Sequence, residues 1–391
     1  MTPRANAGAT DGFSLVELLV ALAVSLLVTS AVFAMLDPAS GAFQTQPESA
    51  DVGQRLRAAS DSLVLDLAGA GSGPVFAPGW PVSGHPAAAV FPYRIGRRNP
   101  DVPGSFDATR LAFWRVDPSA PHAALVTPMP SSSGVAVVAA GPGCTSGDPS
   151  CGFRPGMLVG VFSHSGSVDL FSVTNVNGLA LSLQHNQADS SRVYPPGSTT
   201  IAAVSAGTYF FRDDPTLGYG QLRRYDGDGA ADVPVADHVV SLAFAYIGVA
   251  DAPHLVPGSW PERATYGPLP PPPGVSLTAY PAGENCAFAR TAGGAVVPRL
   301  AVLAPEPVLV PLPAAMLTDG PWCPDDLSPI RYDADLLRVR QVEVAVRVES
   351  ANAALRGPAG LRFLRAGTAT GNRLVPDREL RLVVNLQAGG R

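Results

Sequence analysis

The sequence predicts an α+β chain, with one long N-terminal transmembrane helix followed by a β-rich globular domain built on antiparallel sheet. Three observations carry this. Residues 13–36 read FSLVELLVALAVSLLVTSAVFAML and hold a single charge, Glu17. Near the C-terminus Val342, Val344, Val346 and Val348 alternate with Glu343, Ala345, Arg347 and Glu349, and Leu380, Leu382, Val384 and Leu386 alternate with Arg381, Val383, Asn385 and Gln387. That is the period of strands with one buried face. Among 391 residues, 40 are Gly and 40 are Pro, and only 15% are charged, which suits many short strands joined by turns. With 46% hydrophobic residues, the chain does not have a disordered composition.

The first element is polar: Met1–Gly12 carries one basic residue, Arg4. The apolar run that follows has 24 residues, and at ~1.5 Å per residue a helix of that length crosses a ~30 Å hydrocarbon core. A secretory signal has a shorter apolar region with its cleavage site after it. Arg4 and the amino terminus place the N-terminal side in the cytoplasm by the positive-inside rule, and the rest beyond the membrane. Glu17 is costly there, of order ~2.5–3.5 kcal/mol at the bilayer centre. Either it lies near the headgroups of an ordinary anchor, or a partner compensates it.

Beyond residue 36, Val52, Leu56, Ala59, Leu63 and Leu67 recur at steps of 4, 3, 4 and 4, one face of an amphipathic helix. The prediction is one long, interrupted helix from about Phe13 to Leu67, bent or restarted at Pro38 and Pro47 and stopped by Gly69, Gly71 and Gly73. The chain therefore divides into a polar leader (1–12), a membrane helix (13–36), an amphipathic continuation (37–70) and a globular part (71–391).

Strands are predicted at 110–116, 135–140, 157–163, 168–174, 179–184, 208–212, 220–225 and 239–246, with Asn177-Gly178 as a hairpin turn. Between about 253 and 329 the patterning weakens around four consecutive prolines, Pro270–Pro273. Such a run favours polyproline II. It reads as a long surface insertion, with a recognition motif for a proline-binding partner as the alternative.

Composition excludes several chemistries. All 27 basic residues are Arg, so a Schiff-base or P-loop lysine is ruled out, and a net charge of −5 gives no basic surface for nucleic acid. The six histidines are scattered, and no H-E-x-x-H, G-x-S-x-G or G-x-G-x-x-G occurs. No catalytic site can be assembled and no cofactor is expected. Cys144, Cys151, Cys286 and Cys323 form no C-x-x-C pair. An even count on the exported side favours disulfides. Cys144 and Cys151 enclose a turn-rich loop, which leaves Cys286 with Cys323, although four cysteines allow three pairings. Asp226, Asp228 and Asp232 partly match a calcium loop, but Ala230 and Ala231 stand where a ligand and the required glycine belong. A solvated Asp-Gly turn is the competing reading.

Residues Gly12 to Leu22, G-F-S-L-V-E-L-L-V-A-L, resemble the type IV prepilin signature. The resemblance implies cleavage after Gly12, N-methylation of Phe13, and an assembly role for Glu17 as the fifth residue of the mature chain. Three looser stretches are similar to PilW-type minor pilins: 156–174, then 208–246, then 338–348 closed by 378–384. Together these imply a pilin-like fold. The implied role is a minor pilin that joins a filament through helix–helix contacts. The implied partners are other major and minor pilins, the prepilin peptidase, the inner-membrane assembly platform and the membrane itself. The implied location is the inner membrane with a periplasmic C-terminal domain, then an extracellular filament. A J-type minor pseudopilin of type II secretion, or a pilus-tip adhesin or ligand-binding module, are the alternatives.

Overall fold

The computed structural model describes residues 13–73, 88–96, 99–102, 104–117, 119–130, 133–141, 148, 150–163, 168–185, 193–227, 232–250, 288–293, 296–298, 308–320, 322–323 and 332–387. The chain forms two compact units, Met1–Gly53 with Ser350–Asp377, and Gln54–Glu349 with Arg378–Arg391.

The helix α1 spans Leu15–Ala68 without a break. The predicted interruption is absent, and Pro38 and Pro47 both fall inside it. A proline ring removes one helical N–H and crowds the preceding turn. Neither residue ends the helix. The predicted stripe is confirmed: Val52, Leu56, Ala59, Leu63 and Leu67 are all buried. Full burial of a leucine side chain contributes roughly 1.5–3 kcal/mol. The glycines after Ala68 stop the helix as expected. Gly71 takes φ +78°, a left-handed conformation that costs glycine little, and its N–H reaches Trp114 O at 2.8 Å.

After the helix come β1 (Val90–Phe91), β2 (Arg110–Arg115), β3 (His122–Ala124), β4 (Met129–Pro130), β5 (Ser133–Val137), β6 (Leu158–Ser163) and β7 (Val168–Asn177). They continue with β8 (Ala180–His185), β9 (Val193–Tyr194), β10 (Thr199–Ala203), β11 (Ser205–Asp214), β12 (Tyr219–Tyr225), β13 (Val233–Asp237) and β14 (Val239–Val249). The last are β15 (Phe288–Arg290), β16 (Val296–Pro298), β17 (Leu309–Leu312), β18 (Trp322–Cys323), β19 (Tyr332–Asp333), β20 (Val339–Val348) and β21 (Arg378–Asn385). Every pairing among the described residues is antiparallel.

Two sheets belong to the main body, ordered β1-β2-β11-β12-β13 and β17-β14-β20-β21. The alternation holds along β20, where Val342, Val344, Val346 and Val348 are buried and Glu343, Ala345 and Arg347 partly exposed between them, but it fails just past the strand's end, where Glu349 is buried as well. The helical residues from Gln54 onward join the first sheet through Tyr209, whose hydroxyl lies 2.6 Å from Ser62 Oγ.

The middle strands lie outside these two sheets. Six of them form a separate sheet ordered β3-β10-β6-β7-β8-β5. Its two ends meet: Leu125 bridges Val138, Val126 N–H bonds Val137 O at 2.7 Å and Ala139 N–H bonds Ala124 O at 2.8 Å. The six strands thus make a closed barrel with its own core, including Leu125, Val159, Phe171, Leu181, Tyr194 and Ile201. Closure removes the unpaired strand edges an open sheet would leave. The Asn177-Gly178 turn joins β7 to β8, with Gly178 at φ +58°. Within the proline-rich span, β17 pairs with β14 and so is not loop. Pro270–Pro273 lie outside the described residues.

Candidate functional site

The N-terminal element comes first. Gly12 lies outside the described residues, and Phe13 is exposed. Ser14 and Glu17 bond each other reciprocally: Ser14 N–H donates to Glu17 Oε2 at 2.9 Å, and Glu17 N–H donates to Ser14 Oγ at 3.2 Å. This is a capping box. It satisfies two of the N–H groups that any helix start leaves without partners. The sequence carries the signal as S-x-x-E before an apolar run. Leu15–Met35 is apolar enough and long enough to cross a membrane, and none of that surface is buried within the chain. Leu15, Leu18, Leu22, Leu26 and Phe33 all project outward. Such a surface needs lipid or other helices around it.

Further along α1, Glu48 holds the segment after β20. Its Oε1 accepts from Ser350 Oγ at 3.0 Å, from Asn352 N–H at 3.4 Å and from Ala351 N–H. Two helical turns after Leu56, Ser62 and Asp66 meet the first sheet. Asp66 accepts from Tyr209 Oη at 2.8 Å and Arg224 Nε at 2.9 Å, and Arg115 Nη2 stands 3.5 Å away. Burial, and then the Asp66 carboxylate, push the Tyr209 phenol well above its ordinary range. Two cations and a hydroxyl compensate the one buried carboxylate, as burial of a charge requires.

Cys151 and Cys323, the described cysteines, are both disulfide-bonded. Cys144 and Cys286 lie outside the described residues. The turn before Cys151 is organised by Asp148, which accepts from Ser150 N–H at 2.9 Å and Gly152 N–H at 3.0 Å. The Ser150 bonds hold the Asp148 carboxyl below its usual range.

In the partial calcium loop, Asp232 accepts from Arg94 Nη2 at 2.9 Å, and Asp228 lies outside the described residues. Asp226 sits at the end of β12. Among the described residues a different carboxylate group converges: Asp319, Asp333 and Asp335 bring one oxygen each within 4.8 Å of the others. Asp333 caps the turn Ala334–Arg338, accepting from Asp335 N–H at 2.8 Å and Gly320 N–H at 2.5 Å. Asp335 pairs with Arg338 at 2.5 Å. Burial, with the neighbouring carboxylates adding to it, pushes the Asp333 carboxyl up to about 7 despite the two N–H bonds. Nothing in the spacing of these residues announced the group, because β18–β19 pairing and the loop before it bring them together.

Residues 10–33 match the family described as the prokaryotic N-terminal methylation motif. No curated protein and no solved structure matches the chain. The motif is a prepilin-type signal, and it coincides with the capped, outward-apolar start of α1. Together with the antiparallel sheets, it supports a chain of type IV pilin or pseudopilin character.

Proposed function

We propose that this chain is a minor pilin of a type IV pilus system. Prepilin peptidase cuts after Gly12, and Phe13 becomes the methylated N-terminus. The helix then waits in the inner membrane with the remaining domain on the periplasmic side. It enters a filament, or the complex that starts one, through helix–helix contacts with other pilins. The observation that carries this reading is the coincidence of the methylation motif with an apolar helix that buries none of its first 21 residues within its own chain. A body enlarged by an inserted barrel is bulky for a subunit that stacks many times, which favours low copy number. Similarity of the globular stretches to PilW-type proteins points the same way. A J-type pseudopilin of type II secretion would share the motif and the helix.

The barrel favours a second reading in addition to assembly. A module with its own core, inserted between adjacent strands, suits a binding role at an exposed position such as a filament tip. For the cysteines we propose Cys144 with Cys151, and Cys286 with Cys323. Peptide mass spectrometry of protein from cells with active peptidase tests processing and pairing together. The N-terminal peptide should begin at a methylated Phe13, and the non-reduced digest should contain both cross-links. An intact Met1 would overturn the proposed function, whereas other cross-links would overturn only the pairing.

A further inference from the structure

Ser350–Asp377 joins β20 to β21 and belongs to the same compact unit as the membrane-spanning part of α1. In a chain of net charge −5, this segment carries Arg356, Arg362, Arg365 and Arg373 against Asp377 alone, a local excess of +3 (4 − 1). It has little regular structure, yet it is built. Gly360 and Phe363 bond each other, Gly367 N–H reaches Gly357 O at 2.9 Å, and Val375 N–H reaches Leu355 O at 2.8 Å. Asp377 closes the turn, donating its N–H to Arg362 O at 3.0 Å and accepting from Leu364 N–H at 2.6 Å. Phe363 is buried inside the turn. Leu361 is 97% exposed and Leu364 48% exposed, and Arg362 between them is exposed too.

A folded turn that hides its phenylalanine and presents leucines between arginines is matched to a surface with an apolar interior and anionic headgroups. Arginine binds phosphate oxygens in a fixed fork, and anionic leaflets attract basic segments within a Debye length. Such a surface is close by. Glu48, which grips Ser350–Asn352, lies 13 residues beyond Met35, where the apolar helix ends. That is about 20 Å of helix, of which the headgroup layer takes up roughly the first 5–7 Å. The turn and the membrane-spanning part of α1 belong to one compact unit.

We infer that the Leu361–Arg365 turn docks on the anionic headgroups of the bilayer that holds α1, clamping the chain to the membrane before it is extracted into a filament. This rests on the proposed membrane anchoring. The test uses the full mature chain in nanodiscs of phosphatidylcholine, with and without phosphatidylglycerol. An environment-sensitive fluorescent amino acid replaces Leu361 in one sample and Leu22 in another, and brominated acyl chains serve as quencher. Leu22 should be quenched in both discs. Leu361 emission should fall by more than half in the anionic disc alone, with recovery in high salt and in Arg362→Gln/Arg365→Gln. A quenched Leu22 with an unquenched Leu361 in both discs overturns the inference and leaves anchoring standing. Shielding of Leu361 only after other subunits are added also overturns it, in favour of a protein contact. An unquenched Leu22 overturns both.

Discussion

The capping box seen at Ser14 and Glu17 and the assembly role we propose for Glu17 ask different things of one carboxylate. As a capping group, Glu17 needs only an acceptor oxygen for Ser14 N–H. For the proposed registering role it would have to be an anion, paired with the amino group that the proposed cleavage exposes at Phe13 of a neighbouring subunit. Glutamine keeps the first property and loses the second, and valine loses both. Glu17→Gln and Glu17→Val should both be cut after Gly12, because the scissile bond is untouched. Filament numbers, counted by electron microscopy, should fall sharply with both. Wild-type filament numbers with Glu17→Gln would show that the capping box, not the charge, is what assembly requires. Asp333 is the other residue whose charge state matters. Its folded pKa of about 7 lies above the ordinary 3.8, so the folded state holds a proton that the unfolded chain releases. The stability linked to it is fully present below about pH 4 and is lost as pH rises through 7, by a few kcal/mol in total. Asp333→Asn should flatten that slope in urea midpoints measured from pH 4 to 8. At pH 4 it should cost about 1 kcal/mol, since the single amide oxygen can accept from only one of Gly320 and Asp335 N–H, and by pH 8 that cost should be offset by the buried charge the amide does not carry. An unchanged slope would place the linked proton elsewhere.

At the scale of elements, α1 has one stripe that works by burial and another surface that does not. Leu63 is fully buried and Leu65, two residues on, is exposed on the opposite face. Leu63→Ala should destabilise the detergent-solubilised chain by about 2–5 kcal/mol through lost burial and a cavity. Leu65→Ala should change stability by no more than about 0.5 kcal/mol. Equal effects in urea unfolding would mean that the stripe is not what seats this half of the helix. The Asp66 cluster fixes rotation about the helix axis, because only one orientation lets its carboxylate meet Tyr209, Arg224 and Arg115 together.

At the scale of the molecule, the barrel is an insertion into a pair of neighbouring strands. Arg115 on β2 faces Ser205 on β11, so the chain leaves and re-enters the first sheet at adjacent positions. Replacing Asp117–Ala203 by Asn-Gly should close the two strands into an ordinary hairpin without disturbing their register. The shortened protein should still reach the membrane, be processed and support filaments. If the barrel is a binding module, attachment to surfaces should be lost while filament number is kept. Loss of processing or of filaments, with the shortened protein folded by circular dichroism, would show that the barrel takes part in assembly instead.

The sequence by itself determined whatever depends on neighbours a few residues apart. The apolar run, the Val52–Leu67 stripe, the glycine stop and the alternation on β20 and β21 are all local periods, and each was legible because burial repeats with the geometry of the element. The S-x-x-E cap at Ser14 is equally local, because the two bonds it makes join residues three apart. Tertiary structure decided what depends on distant pairing. Closure of six strands into a barrel turns on Leu125 meeting Val138, and the Asp319–Asp333–Asp335 group depends on β18 finding β19. Glu48 meets Ser350 across some 300 positions of chain. Alternation reveals that a strand has a buried face, but not which strand lies beside it. That choice is made by the summed burial and hydrogen bonding of the whole sheet, which no single segment encodes.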